Sequence, residues 1–122
     1  MRRAAIPIAV VIVLGGLACS ASPAGTPADA VTRFFAAVES GSCSSLWTEL
    51  GDSYRAELER EGVDCNTLIE QMRAYPFETV LDTRADGRNP AANLVRTRLR
   101  GREHEVVIRV QAEGGQWKIM AL

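Results

Sequence analysis

The stretch FETVLDTRADGRNPAANLVRTRLRGREHEVVIRVQAEGGQWKIMAL, residues 77–122, alternates apolar and polar side chains with a period of two. Such alternation is typical of strands that bury one face and expose the other. Residues that favour turns interrupt it at 86–90, at Gly101 and Arg102, and at Gly114 and Gly115. The stretch therefore predicts four strands joined by short connections, which form an antiparallel meander with one apolar face.

The spacing also assigns residues to the apolar face. In the first strand these are Phe77, Thr79 and Leu81, and in the second Val95, Thr97 and Leu99. In the third and fourth strands they are Val106, Ile108, Val110, Trp117 and Ile119.

Before the strands, the apolar spacing becomes helical. Thr26 is a good N-cap, Pro27 suits the first helical position, and Gly41 ends the helix that they begin. Its apolar face carries Val31, Phe34, Phe35 and Val38.

Three shorter helices are predicted between this helix and the strands. One spans 44–50, one is capped by Asp52 or Ser53 and stopped by Gly62, and one begins after Asp64 and ends at 75–76. Helices followed by strands indicate an α+β fold in which the helices cover the apolar face of the sheet.

The beginning of the chain, MRRAAIPIAVVIVLGGLAC (1–19), has the layout of a secretory signal peptide. Two arginines precede an apolar run that is too short for a spanning helix of about 20 residues. The end of this stretch, GGLAC, resembles the lipobox of bacterial lipoproteins. That resemblance implies cleavage after residue 18 and a diacylglycerol on Cys19. Cleavage after Ala21 or Ala24, which would release a soluble protein, and an uncleaved anchor are the alternatives.

These segments predict the organisation of the chain. Residues 1–18 are a lipoprotein signal peptide, 19–26 a flexible tether with small residues, and 27–122 one α+β domain. The protein is expected on the extracytoplasmic side, held by lipid to the cell membrane or the outer membrane.

The chain has three cysteines, and an odd number in an exported protein needs an explanation. If Cys19 carries lipid, Cys43 and Cys65 remain as a pair that can form a disulfide in an oxidising compartment. Two buried free thiols are the alternative. We expect no metal and no cofactor, because His104 is the only histidine and no Cys-x-x-Cys spacing occurs.

The polar positions of the strands carry a group of basic residues. These are Arg96, Arg98, Arg100, Arg109 and Lys118. Planar guanidinium groups suit carboxylates and phosphates, so this face is a candidate docking surface for an acidic protein or an anionic ligand. The alternative is a solvated face neutralised by Glu78, Asp82 and Glu105. Nucleic acid is not an expected partner, because the net charge of the chain is −1.

Three stretches, ADAVTRFFAAVESGSC (28–43), SLWTELGDSYRAEL (45–58) and GGQWKIMAL (114–122), resemble the nuclear-transport-factor-2-like (SnoaL-like) superfamily. The resemblance implies a cone-shaped α+β fold in which helices pack on a strongly curved antiparallel sheet, with a cavity between them.

Isomerases and dehydratases of that superfamily use Asp, His or Tyr side chains inside the cone. The candidates in this chain are Tyr54, Asp82 and His104, with Tyr75 as a further tyrosine. The sequence contains no nucleophile–base pair, phosphate loop or metal set. The predicted function is therefore a non-catalytic, membrane-tethered binding or accessory module. The alternative is a small-molecule enzyme that uses the cone interior.

Overall fold

The structure is a computed structural model, and it describes residues 23–122. Cys19, the predicted signal peptide and the predicted lipobox lie outside the described residues. Among those described, four helices precede one sheet of four antiparallel strands in the order β1-β2-β3-β4. The predicted meander and the α+β class are therefore confirmed. The elements are α1 Pro27–Ser40, α2 Cys43–Thr48, α3 Asp52–Arg60, α4 Cys65–Arg73, β1 Phe77–Asp86, β2 Asn89–Leu99, β3 Val106–Glu113 and β4 Gln116–Ala121.

Helix α1 begins and ends at the predicted residues. The Thr26 hydroxyl accepts from the Asp29 amide at 3.2 Å, and the Asp29 carboxylate accepts from the Thr26 amide at 3.0 Å. This reciprocal capping box satisfies two amides that have no partner within the helix. Gly41 ends α1 in the left-handed region, with φ of 73°. The buried face of α1 consists of Ala30, Val31, Phe34, Phe35, Ala37 and Val38.

The cap predicted for α3 at Asp52 or Ser53 is wrong. Gly51 is the N-cap residue, and its amide donates to the Ile119 carbonyl at 2.8 Å. The next amide, that of Asp52, donates to the Glu113 carboxylate at 3.0 Å. A side chain from β3 therefore caps α3, and the sequence near the helix gives no sign of it.

Helix α4 begins where the sequence predicted. The Asp64 carboxylate accepts from the Thr67 amide at 2.8 Å, and this hydrogen bond lowers the pKa of Asp64.

The core lies between α1 and the face of the sheet that we call the inner face. Residues predicted to point inward from β2, β3 and β4 are confirmed at the centre of this face. Those with no solvent exposure are Val95, Thr97, Ile108, Val110 and Ile119. Phe34 of α1 and Leu46 of α2 are equally buried and belong to the same apolar cluster.

The alternation predicted for β1 holds for Phe77, which packs against the core, and is wrong beyond it. It placed Phe77, Thr79 and Leu81 on one face. Register shifts interrupt β1 between Phe77 and Thr79 and again between Val80 and Asp82. As a result Val80 lies opposite Thr97 and packs against the core, while Thr79 lies opposite Arg98 and is exposed. Each bulge inserts one extra residue into β1. The residues that follow it therefore point to the face opposite the one that simple alternation predicts.

Two of the predicted turns have different lengths in the structure. The β1–β2 turn contains only Gly87 and Arg88, so Asn89 and Pro90 belong to β2. The Asp86 carboxylate accepts from the Arg88 amide at 2.9 Å and closes this turn. The connection after β2 spans residues 100–105 and is not a tight turn at Gly101 and Arg102.

Two segments from earlier in the chain cover the free edge of β4. The Ile119 amide donates to the Glu49 carbonyl at 2.8 Å, and the Ile119 carbonyl accepts from Gly51. Nearer the start of β4, the Ala24 amide donates to the Gly115 carbonyl at 3.2 Å. The Trp117 indole donates to the Gly25 carbonyl, also at 3.2 Å. Residues 24–25, which fall in the predicted tether, are thus held against the sheet.

The predicted disulfide is confirmed. Cys43 and Cys65 are bonded, with their Cα atoms 5.6 Å apart, and they are the first residues of α2 and α4. The bond therefore joins the beginnings of two helices that also contact each other. No helix within residues 23–122 is long and apolar enough to cross a membrane.

We expect the double substitution Cys43→Ser, Cys65→Ser to lower the free energy of unfolding by about 3 kcal/mol, because the bond closes a loop of intermediate length. Guanidinium titrations of the wild type and the variant, followed by circular dichroism, measure this difference. A reductant should shift the wild-type midpoint and leave that of the variant in place. Equal midpoints for the wild type and the variant in the absence of reductant would contradict the expectation.

Candidate functional site

The face of the sheet opposite the helices is the candidate site, and we call it the outer face. Arg96 and Arg98 lie on it because they alternate with the buried Val95, Thr97 and Leu99 along β2. Residues directly opposite in an antiparallel pair share a face. Val107 and Asp82, both opposite Arg96, therefore lie on the outer face.

Carboxylates hold the arginines of this face in place. Arg96 donates to Asp82 Oδ2 from Nε at 2.9 Å and from Nη2 at 2.6 Å, and its Nη1 donates to Glu105 at 2.9 Å. The hydrogen bonds and the charge of Asp82 raise the pKa of Arg96. Glu105 also lies 3.6 Å from Arg98. Two carboxylates therefore orient two neighbouring guanidinium groups.

The other basic residues predicted for this face differ in their surroundings. Arg100 lies 3.9 Å from Glu78, and Arg109 lies 3.4 Å from Asp86. Arg109 Nε is buried and has no hydrogen-bond partner in the described part of the chain. Lys118 donates to the Thr48 carbonyl of α2 at the edge of the sheet, so its ammonium group does not join the arginines.

The structure thus brings four of the five predicted basic residues to one region and pairs each with a carboxylate. Arg84, on the outer face opposite Leu94, has no ion pair among residues 23–122. The side chains of Arg96 and Asp82 are 39% and 48% exposed. Such pairs remain in contact with water, so the carboxylate of a partner can compete for the guanidinium groups at small cost.

An exposed apolar residue lies beside these arginines. Val107 is 44% exposed and is opposite Arg96 in the ladder. It lines an open cleft of about 530 Å³ between the outer face and the β2–β3 loop. The lining also includes Glu78, Arg98, Arg100, Arg102, His104 and Glu105. The sequence did contain the signal for Val107, because it occupies a polar position of the β3 alternation.

The space between the helices and the sheet is filled with side chains. Phe34, Leu46, Ile108 and Ile119 have at most 1% exposure. A smaller cleft of about 300 Å³ lies at one end of the core. It is lined by Phe35, Val38, Glu39, Met72, Arg73, Pro76, Phe77 and Arg100.

Two interactions restrict that smaller cleft. The rings of Phe35 and Phe77 stack with their centroids 5.2 Å apart. Arg73 donates to the carbonyls of Val38 and Glu39 at 3.2 and 3.1 Å, and thereby caps the end of α1. The Arg73 guanidinium, which lines the cleft, is therefore already engaged in capping α1.

The three candidate catalytic residues lie on separate elements. Tyr54 belongs to α3 and packs against the core, whereas Asp82 belongs to β1 and faces outward. His104 is exposed in the β2–β3 loop. The structure does not bring them together. Within residues 23–122, no three His, Cys, Asp or Glu side chains are close enough to hold a metal ion.

Comparison with known proteins gives no relative to guide the interpretation of this site. No protein-family model matches the sequence, and neither a curated protein nor a solved structure is significantly similar to the chain.

Burial raises the pKa of Tyr54 to about 12, and the charges of Glu57 and Glu61 add to the effect. The unfolded chain ionises near the ordinary value of about 10, so it loses this proton first. The contribution of Tyr54 to stability is therefore present below about pH 10 and is lost as the pH rises towards 12. The variant Tyr75→Phe leaves Tyr54 as the one tyrosine, and absorbance at 295 nm should show its ionisation near pH 12. A midpoint near 10 would contradict the burial of Tyr54.

Proposed function

We propose that the protein is a lipid-anchored, extracytoplasmic module that binds an acidic protein through its outer face and catalyses no reaction. The observation that carries this proposal is the contrast between the two faces of the sheet. The inner face is covered by helices and filled with apolar side chains, whereas the outer face presents oriented guanidinium groups beside the exposed Val107.

The chemistry of the outer face favours an acidic partner. Arg96 and Arg98 are held by Asp82 and Glu105, so little side-chain entropy is lost when another carboxylate approaches them. Arginine is enriched at protein–protein interfaces and among their binding hot spots.

Two observations support a location outside the cytoplasm. The Cys43–Cys65 disulfide would not persist in a reducing cytosol. The leader at 1–18 has the charge and length of an export signal, and Cys19 follows it. We therefore place the domain outside the cytoplasm, held to a membrane by lipid on Cys19.

The attachment of residues 24–25 to β4 limits how far the domain can move from that anchor. Fully extended, the chain from Cys19 to Ala24 spans at most about 18 Å. A lipid at Cys19 would therefore keep the domain against the bilayer surface. The partner would then be a protein that itself lies at that surface.

We also propose the nuclear-transport-factor-2-like cone as the fold family. All four helices precede the meander, which is the order that the resemblance implies. The register shifts of β1 are bulges, and bulges bend and twist the strand that contains them. In this chain the interior of the cone would serve stability, and its outer surface would serve binding.

The lipid anchor is tested by mass spectrometry of the protein purified from membranes. We expect a mature N-terminus at residue 19 that carries the mass of a diacylglycerol. The variant Cys19→Ala should leave the membrane fraction. The control Ser20→Ala should remain in it. Recovery of native protein with residues 1–18 attached, or with a bare Cys19 thiol, would overturn the anchor.

The docking surface is tested by a photo-crosslinking amino acid, p-benzoylphenylalanine, placed at Val107 in cells that produce the protein. We expect one crosslinked partner with an acidic surface. The same amino acid at Ala56, exposed on α3, should not capture that partner. Equal capture from both positions, or none from Val107, would contradict docking through the outer face.

The charge requirement is tested by Arg98→Glu in the same assay. A reversed arginine at a binding surface should weaken capture at least about tenfold. The matched control is Arg60→Glu, which makes the same change of charge on α3 and should leave capture unaltered. Loss of capture in both variants would indicate a general effect of charge and would contradict a local arginine site.

A further inference from the structure

The two edges of the sheet differ in how they are protected. Residues 49–51 and Ala24 cover parts of the β4 edge by backbone hydrogen bonds. At the opposite side of the sheet, β1 is an edge strand and pairs only with β2 among residues 23–122. Its outer row of backbone amides and carbonyls is therefore a template for another strand.

Part of β1 is regular enough for such pairing. Between its register shifts, residues 82–85 pair with β2 without interruption. Thr83 and Ala85 are exposed although their side chains lie on the inner side of the sheet, which shows that the helices do not reach this part of β1. A second strand can therefore approach the edge at residues 82–85 without meeting a helix.

The charges of this segment complement themselves. Asp82 and Arg84 lie on the same face, separated by one residue. When two copies of the strand pair antiparallel with Thr83 opposite Thr83, Asp82 of each copy lies opposite Arg84 of the other. Arg84 has no ion pair among the described residues, and both hydrogen bonds from Arg96 to Asp82 use Oδ2. The Arg84 guanidinium and the Oδ1 atom of Asp82 can therefore each form a further ion pair.

The neighbouring registers are unfavourable. Moving the two-fold axis to residue 82 places two aspartates opposite each other, and moving it to residue 84 places two arginines opposite each other. Like charges directly opposite are destabilising in a sheet, whereas opposite charges and Thr–Thr pairs are favourable. Charge therefore selects the register with Thr83 on the axis.

We propose that two copies of this chain form a homodimer through the β1 edges, joining their sheets into one with Thr83 on the two-fold axis. The association ends at two copies, because segments of the same chain already cover the opposite edge of each sheet. This proposal does not depend on lipidation or on an acidic partner, since the outer face remains open in the dimer.

Disulfide formation between copies tests the geometry, with the full chain in membranes or in detergent. In the proposed register the two Thr83 residues have Cα atoms about 4.5–5.5 Å apart, within reach of a disulfide. The two Ala85 residues are offset by four strand positions, or about 13 Å. Thr83→Cys should therefore give a covalent dimer under mild oxidation, and Ala85→Cys should not. The wild type measures the background of covalent dimer that its own cysteines form.

Three results of this experiment would overturn the proposal. They are equal crosslinking of the two variants, no crosslinking of either above the wild-type background, and crosslinking of Thr83→Cys to a different polypeptide.

A second measurement tests the charge pairing without added cysteines. Sedimentation equilibrium of the full chain in detergent gives the dimer dissociation constant. In the variant Arg84→Glu, the new carboxylate of each copy lies opposite Asp82 of the other copy, which gives two pairs of like charges. The dissociation constant should therefore rise at least about tenfold. Arg60→Glu changes the net charge equally and should not raise it. An unchanged constant for Arg84→Glu would overturn the proposed register.

Discussion

Burial of one face of α1 against the inner face of the sheet is the interaction on which the rest of the structure depends. Phe34 and Val31 lie on α1, and Val95, Ile108 and Ile119 lie on three neighbouring strands, yet all are fully buried in one cluster. Removing such side chains from water supplies most of the free energy that favours folding. A helix or a strand alone could not bury this surface, so the two layers form together.

The same packing separates the sheet into a buried apolar face and a solvated charged face. Since the inner face is occupied by apolar side chains, the polar residues of the strands accumulate on the outer face. There, Asp82 and Glu105 orient Arg96, and Glu105 also contacts Arg98, without removing either guanidinium group from water. The result is a surface whose charges are ordered and still accessible, which is the property that we assign to the docking of an acidic partner.

The edges of the sheet complete this division. Residues 49–51 and Ala24 satisfy backbone groups of β4, and Ala24 also brings the start of the domain to that edge. If Cys19 carries lipid, β4 is the side of the domain nearest to the membrane. The β1 edge lies at the other end of the strand order, away from the β4 edge. The proposed anchor and the proposed dimer contact therefore use opposite edges of one small domain.

The amino-acid sequence determined the features that depend on neighbours along the chain. The cap of α1 at Thr26, its end at Gly41, and the apolar positions of β2 and β3 follow from local chemistry and the period of hydrophobicity. The number of cysteines predicted the Cys43–Cys65 bond only on the expectation that Cys19 carries lipid. The sequence also predicted that arginines would gather on one face, because alternate residues of a strand share a face.

Only the tertiary structure decided the features that join distant residues. The bulges of β1 move Val80 inward and Thr79 outward, and they cannot be read from alternation because they change which residues oppose each other in β2. The cap that Glu113 gives α3, the attachment of Ala24 to Gly115, and the ion pairs of Arg96 with Asp82 and of Arg109 with Asp86 also join residues far apart in the sequence. The physical reason is that hydrophobic period and capping act over a few residues, whereas register, edges and ion pairs are set by how the two layers pack.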